Sequence, residues 1–391
     1  MGPKYRFPTK VLTDGSISGE TLNGNLFIQG TGDTFFVTEF IYYLANELAR
    51  EQFTQVTGDL IIDDFYFDRD YEVPPGDRAY VAPTGAVSAN FNSVAAYVRP
   101  AKKAGEPAIV ILDPPNDYIS LKNETKTVKS GSNQQIDVKR VRSGDHKDVL
   151  IVKGTVPVSS KEDVYYRSIS DPPFYAGSVI KSILSQRGIA VQGTVRHGKT
   201  PSSAQELLVY ESKTFDLLVR DLLNFSNNMI ANQLLKTMGA ARFGAPGSLE
   251  KGLRAEREIL DSFGIKPKSY NLVDGSGYDR GNRVSANQLT TLLTQISKDP
   301  ILSPGFKFAL PVAGEEGTLE RRFKNGAATG RLRAKTGSLT GVASLAGYAP
   351  SADGEWLAFS ILMNDKKGRM RELYKYQDQI GDLLCRFTRR P

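Results

Sequence analysis

Cysteine is nearly missing: among 391 residues there is one, Cys385, so no disulfide can form within the chain and the redox compartment is left open. Cys385 falls on the apolar side of a terminal helical pattern, which predicts a buried thiol. There are two histidines, His146 and His197, far apart in polar stretches and without a partner at ligand spacing, so neither is assigned a metal or general-base role. No run of about 18 apolar residues exists, which predicts no transmembrane segment. The opening Met1-Gly2-Pro3-Lys4-Tyr5-Arg6-Phe7 lacks the apolar stretch of a signal peptide. The acidic run Asp63, Asp64, Asp68 and Asp70 lacks the Gly and Glu positions of a calcium loop and reads as a solvated turn. No unit recurs at a fixed period.

What remains is ordinary globular material, with 40% apolar and 24% charged residues, long enough for two or three domains. The formal charge is +7, but basic residues are interspersed with acidic ones, as in Lys161-Glu162-Asp163 and Arg254-Ala255-Glu256-Arg257-Glu258. Without an aromatic-interleaved basic stripe or zinc-finger spacing, no nucleic-acid partner is expected.

Up to about residue 205 the chain carries short β-type runs between Gly, Pro, Asn and Asp, such as Asn25-Leu26-Phe27-Ile28-Gln29 and Asp59-Leu60-Ile61-Ile62-Asp63. Helical periodicity interrupts them from Phe36 to Gln52 and from Tyr175 to Arg187. Residues 123–147, polar and mixed in charge, read as an exposed hairpin or loop. Beyond about residue 206 longer amphipathic helices take over. Phe215 to Leu223 and Met229 to Met238 flank a polar break, Leu249 to Phe263 stops at Gly264, and Ser285 caps a helix to Ser297. Strands at Arg331 to Lys335, Val342 to Tyr348 and Trp356 to Met363 form an antiparallel meander. A last helix, Lys367 to Phe387, sets Met370, Leu373, Tyr376, Ile380, Leu383 and Phe387 on one face, predicted to pack across that sheet.

Two short motifs carry chemical promise. Ser226-Asn227-Asn228 sits where two helices break, so a hydroxyl and an amide can project into a cleft. Lys335-Thr336-Gly337-Ser338 closes the first strand of the meander, where Gly337 lets an extended peptide approach the strand edge. Either alone reads as a helix cap or a strand end; their order and setting give them weight.

With these motifs in this order the sequence resembles the penicillin-binding proteins and serine β-lactamases. The segments 274–280, 310–319 and 334–342 resemble the class C low-molecular-mass group, D-alanyl-D-alanine carboxypeptidases and endopeptidases with accessory domains inserted between the first and second catalytic motifs. Gly2-Pro3-Lys4-Tyr5-Arg6-Phe7, the stretch 58–63 and Phe174-Tyr175-Ala176-Gly177 extend the likeness along essentially the whole chain.

The resemblance implies an α+β fold: a β-lactamase/transpeptidase-like domain of helices packed on an antiparallel sheet, with strand-rich accessory domains before it. Residues 1–10 would be a remnant of its N-terminal part, 11–205 an accessory region of two subdomains, and 206–391 the domain with both motifs. It implies acyl-enzyme chemistry without metal or cofactor on peptidoglycan stem peptides, ending in D-Ala-D-Ala or cross-linked, outside the cytoplasm. Ser226 would relay protons to the leaving amine and Asn228 would bind the acyl-side amide. Lys335 would supply positive charge, Thr336 and Ser338 would bind the substrate carboxylate beside Gly337, and the Ser338 N–H would form half of the oxyanion hole. Arg280 would contact the rest of the stem peptide, and Asp77 with Tyr80 would read a side-chain amine on it.

The family's nucleophile belongs to a Ser-x-x-Lys that precedes the Gly-Pro-x-Tyr-Arg-Phe segment, which begins here at Gly2. The expectation is a chain without its nucleophile, one that by itself neither acylates with penicillin nor cleaves peptide, while an intact form would bind β-lactams. Ser178-Val179-Ile180-Lys181 and Ser248-Leu249-Glu250-Lys251 match the pattern but lie in amphipathic helices and read as ordinary helix residues. The competing reading is a nucleophile-free module that only binds stem peptides or a partner protein.

Overall fold

The computed structural model describes every residue except Met1, Glu72, Asp145, Arg390 and Pro391. The chain divides into two compact units: Arg6–Ser212 with Phe243–Ser248, and Met1–Tyr5 with Lys213–Arg242 and Leu249–Pro391.

The first unit, the accessory one, is built on a five-stranded sheet. Its order is Val195–His197, Leu60–Asp63, Leu26–Gly30, Pro8–Thr13, Gln205–Glu211. The Leu60–Asp63 strand runs parallel to both neighbours, and its unbroken apolar start, Leu60-Ile61-Ile62, is the composition expected of a strand covered on both faces. The helices Thr38–Leu48 and Pro172–Gln186 contribute Ile41, Leu44, Leu48, Val179, Ile180 and Ile183 to one buried cluster with Val11, Ile28 and Ile62. Pro172 and Pro173 open the second helix where a missing N–H costs nothing.

The stretch 123–147, expected as an exposed hairpin or loop, is largely exposed as expected, but its strands belong to a three-stranded sheet instead of a hairpin. The strand Lys147–Pro157 lies between Gln135–Ser143, antiparallel, and Ile119–Val128, parallel. Its polar alternation comes from one wet face; Val138, Leu150 and Val152 fill the other.

The second unit centres on the antiparallel meander Arg333–Leu339, Val342–Pro350, Trp356–Asn364. The helix Ala286–Lys298 opens with a capping box between Ser285 and Gln288, as its N-terminal serine promised. Leu293 on this helix packs with Tyr348 and Leu310 on one face of the meander, and the Tyr348 hydroxyl donates to the Leu293 carbonyl at 2.7 Å. On the other face Ala334, Leu345 and Phe359 meet Cys385 of the terminal helix Met370–Arg386.

That helix covers the sheet with a different face from the one its apolar spacing predicts. Gln377, Gly381 and Cys385 are buried, whereas Tyr376, Ile380, Leu383 and Phe387 are exposed. The cause is a close approach: a Cβ on Gly381 would lie 2.6 Å from the Phe323 ring and 3.0 Å from Leu332. Polar anchors hold the same face, with Asp378 bridging Arg322 at 2.6 Å and Asp382 accepting from the Ala328 N–H at 2.9 Å. Cys385 is a buried free thiol, and burial pushes its pKa up. Among the described residues no helix is long and apolar enough to cross a membrane.

Candidate active site

The helix Phe215–Phe225 ends at Ser226, whose backbone is left-handed (φ 55°, ψ 46°) and whose N–H returns to the Leu222 carbonyl at 2.8 Å. A serine in that conformation is strained by roughly 1 kcal/mol or more and is held only because its surroundings determine it. Asn227 then starts the next helix, its side-chain oxygen accepting from the Ile230 N–H at 3.2 Å. Asn228 is the first helical residue and is half-buried. Two caps in succession thus turn the chain and present the Ser226 hydroxyl at a fixed angle.

The strand Arg333–Leu339 brings the second group of residues, and it continues through the Lys-Thr-Gly-Ser motif rather than closing on it. Lys335 Nζ donates to Ser226 Oγ at 2.6 Å and to the Thr336 carbonyl at 2.8 Å. Among the described residues it pairs with no carboxylate. The residue is half-buried, and burial pushes the ammonium's pKa down from the ordinary 10.5 to about 8. Gly337 lies opposite Ser344 on the neighbouring strand, and a Cβ there would sit 2.2 Å from Ser344 Oγ. Glycine at this position therefore serves the sheet's own packing, whatever it does for a ligand.

The remaining hydroxyls on the strand are spoken for. Thr336 Oγ1 donates to Thr318 Oγ1 at 2.7 Å, and Ser338 Oγ meets the Tyr374 hydroxyl at 2.9 Å. Thr318 is set by its neighbour Gly317, at φ 53°, where a Cβ would fall 2.7 Å from the Asn224 side chain. Arg280 donates to the Thr340 carbonyl, one residue past the strand, at 2.8 Å. Its loop is tied by Asp274, which accepts from the Gly277 and Asp279 N–H groups at 2.6 and 2.9 Å.

Ser226, Lys335, Thr336, Ser338 and Arg280 are thus joined within one unit, and Lys335 links the two motifs directly. Asp77 and Tyr80 belong to the accessory unit. There Asp77 Oδ2 accepts from the Arg140 N–H at 2.9 Å and lies 3.4 Å from the Nε of buried Arg167, while Tyr80 is about half exposed. Thr318 and Tyr374 were not singled out from the sequence. Thr318 falls in a segment already noticed for its resemblance, 310–319, but Tyr374 sits off the apolar stripe by which the terminal helix was read.

Of the two Ser-x-x-Lys matches, the first is occupied structurally: Ser178 Oγ accepts from the Asp117 N–H at 2.8 Å, and Lys181 donates to the Gly193 carbonyl; in the second, Ser248 stands just before the helix Leu249–Ser262 rather than in it. The acidic run read as a solvated turn is buried at its start, with Asp63 and Asp64 at 6% and 1% exposure. Asp64 holds His197 at 2.6 Å and the Tyr71 hydroxyl at 2.7 Å, so His197 stands in a strand against a carboxylate rather than in a polar loop. His146 likewise meets Asp171 at 2.7 Å and stacks on Phe174.

Comparison with known proteins agrees with this architecture. The family model of the D-Ala-D-Ala carboxypeptidase 3 (S13) family matches residues 1–384. A D-alanyl-D-alanine carboxypeptidase of Actinomadura is 32% identical, the match covering 94% of this chain and 71% of that protein. One of Haemophilus influenzae is 28% identical over 93% of this chain and 77% of its own. The crystal structure of penicillin binding protein 4 from Haemophilus influenzae superposes with a TM-score of 0.82 at 25% identity, covering 98% of this chain and 87% of that one. The fold is therefore the transpeptidase-like α+β domain with strand-rich additions, and the chain belongs to the D-Ala-D-Ala carboxypeptidase 3 family of serine peptidases.

Proposed function

We propose that the chain carries the second and third catalytic motifs of a serine-type D-alanyl-D-alanine carboxypeptidase or endopeptidase that works on peptidoglycan stem peptides outside the cytoplasm. The observation that carries this reading is the 2.6 Å contact of Lys335 Nζ with Ser226 Oγ, made by an ammonium that burial has brought to a pKa of about 8. Such a pair can pass a proton near neutral pH, as acyl transfer to a serine requires when the leaving amine departs. In this scheme Ser226 hands that amine its proton and Lys335 shifts the Ser226 hydroxyl's balance. Asn228 binds the acyl-side amide. Thr336 and Ser338 face the substrate carboxylate, and the Ser338 N–H is one oxyanion donor. Arg280 meets the stem peptide farther along. Within the accessory unit, Asp77 would read an amine only through Oδ1, since Oδ2 is engaged by the Arg140 N–H.

The nucleophile would come from a Ser-x-x-Lys at this site. Ser178 and Lys181 have backbone partners of their own, so we expect no acylation of the polypeptide 1–391 on its own. The test is labelling with a fluorescent penicillin. A longer form with an in-frame Ser-x-x-Lys upstream of Gly2 should label, and should lose labelling by about 100-fold or more on Lys335→Ala. Residues 1–391 alone should stay dark. Labelling of the short form, or full labelling of the Lys335→Ala long form, would overturn the assignment.

A further inference from the structure

We propose that Tyr374 is a positioning residue that aims the Ser338 hydroxyl, and that Arg322 and Asp378 hold it in place for that purpose; this rests on the reading of the Lys335–Ser338 strand as a carboxylate site. The contact is direct, Ser338 Oγ to Tyr374 OH at 2.9 Å. A serine hydroxyl has one proton and rotates freely unless something fixes it. A phenol is the stronger donor of the two, so Tyr374 donates to Ser338 Oγ. The Ser338 proton is then left to point at an incoming acceptor, and the oxygen is pinned. Without the phenol the hydroxyl can spin, or turn its proton toward a backbone carbonyl.

Tyr374 is itself locked. The Arg322 guanidinium lies 5.0 Å from its ring centroid, a cation–π distance, and reaches the Tyr374 carbonyl at 3.3 Å. Arg322 in turn donates to Asp378 Oδ1 through Nε at 3.0 Å and NH2 at 2.6 Å, and to Gln377 Oε1 at 3.1 Å. Arg322 is 13% exposed and Gln377 is buried, so this is a packed support rather than a surface ion pair. The terminal helix thereby does two jobs. Its Gly381 and Cys385 seal the sheet, and about two turns before Gly381 its tyrosine reaches the motif strand.

The test uses residues 1–391 as they stand and measures binding, which needs no nucleophile. An acetylated stem peptide ending in D-Ala-D-Ala and the same peptide with a C-terminal amide are titrated by NMR. The proteins are wild type, Ser338→Ala, Ser338→Thr, Tyr374→Phe and the Ser338→Ala/Tyr374→Phe double variant. Tyr374→Phe keeps the ring under Arg322 and removes only the hydroxyl. It should weaken the carboxylate peptide by about 3–10-fold, leave the amide peptide unchanged, and add nothing to Ser338→Ala in the double variant. Ser338→Thr, which keeps a hydroxyl, should recover part of the affinity that Ser338→Ala loses. Equal losses for both peptides, multiplying effects in the double variant, or a Tyr374→Phe protein that binds like wild type while Ser338→Ala is weakened would overturn the positioning role alone. A wild type that fails to bind the carboxylate peptide, or a Ser338→Ala protein that binds it undiminished, would overturn the carboxylate-site reading and this inference with it.

Discussion

His197 in the accessory unit and Lys335 in the transpeptidase-like unit are both nitrogen-bearing side chains enclosed by protein, and they are enclosed in opposite ways. His197 meets Asp64 at 2.6 Å, and Tyr71 takes that carboxylate's other oxygen at 2.7 Å. Burial, with the charge of Asp64 next, pushes the Tyr71 phenol up, so it remains a hydrogen-bond donor. Lys335 meets a hydroxyl and a carbonyl, and among the described residues no carboxylate. A base matched by a carboxylate is fixed by it and contributes to the fold. A base enclosed without one lowers its own pKa and costs the fold something, which is how a group is kept ready to exchange a proton.

The contrast can be broken most forcefully at Asp64. Replacing it by alanine leaves His197 and Tyr71 without their shared acceptor, and we expect a loss of about 3–5 kcal/mol in the accessory unit. Hydrogen exchange of the Leu60–Asp63 and Val195–His197 amides would report it; a loss below about 1 kcal/mol would erase the difference between the two sites. Lys335→Met should act in the reverse direction, stabilising the other unit by about 1–2 kcal/mol at pH 7 because a poorly solvated charge is removed. The pH dependence has a definite sign. The folded pKa is about 8 against the ordinary 10.5, so between those values the unfolded chain binds more protons and wild-type stability rises with pH. The advantage of the methionine variant should therefore be full below about pH 8 and fade toward pH 10.5. Denaturant unfolding at several pH values would show a flat difference if Lys335 were solvated. The smallest effect sharpens the comparison from outside: Lys10 and Glu206 pair at 2.8 Å, much like the buried pair, but at 41% and 45% side-chain exposure. Lys10→Ala should change stability by no more than about 0.5 kcal/mol, since water already screens that contact.

Much of the active-site candidate was legible because its parts depend on local chain chemistry. A polar triplet between two amphipathic helices must break them, and Ser226 does so in a left-handed cap. Ser285 three residues before Gln288 spells a capping box. The meander is written in alternating apolar residues punctuated by Gly341 and Gly354, both at positive φ. Less legible were elements whose pattern is shaped by distant partners. The polar strands Ile119–Val128 and Gln135–Ser143 pair only through Lys147–Pro157, a partner supplied later in the chain. The terminal helix hides Gly381 and shows Leu383 because closeness to Phe323 outweighs the area a leucine could bury. Asp63 and Asp64 read as wet because nothing in their own stretch reveals the Gln29, Thr200, Tyr71 and His197 groups that satisfy them.

By itself the sequence determined most of the helices of the second half and its three-stranded meander, though not the helix Leu302–Ala309, and which serine, asparagine and lysine stand at their breaks and edges, because caps, turns and periodicity act over a few residues. Only the tertiary structure decided that Lys335 reaches Ser226 and, among the described residues, pairs with no carboxylate, that Tyr374 meets Ser338, and that two aspartates are buried in the accessory unit. Those outcomes depend on which surfaces exclude water together, and solvation is a property of the assembled neighbourhood rather than of any stretch of chain.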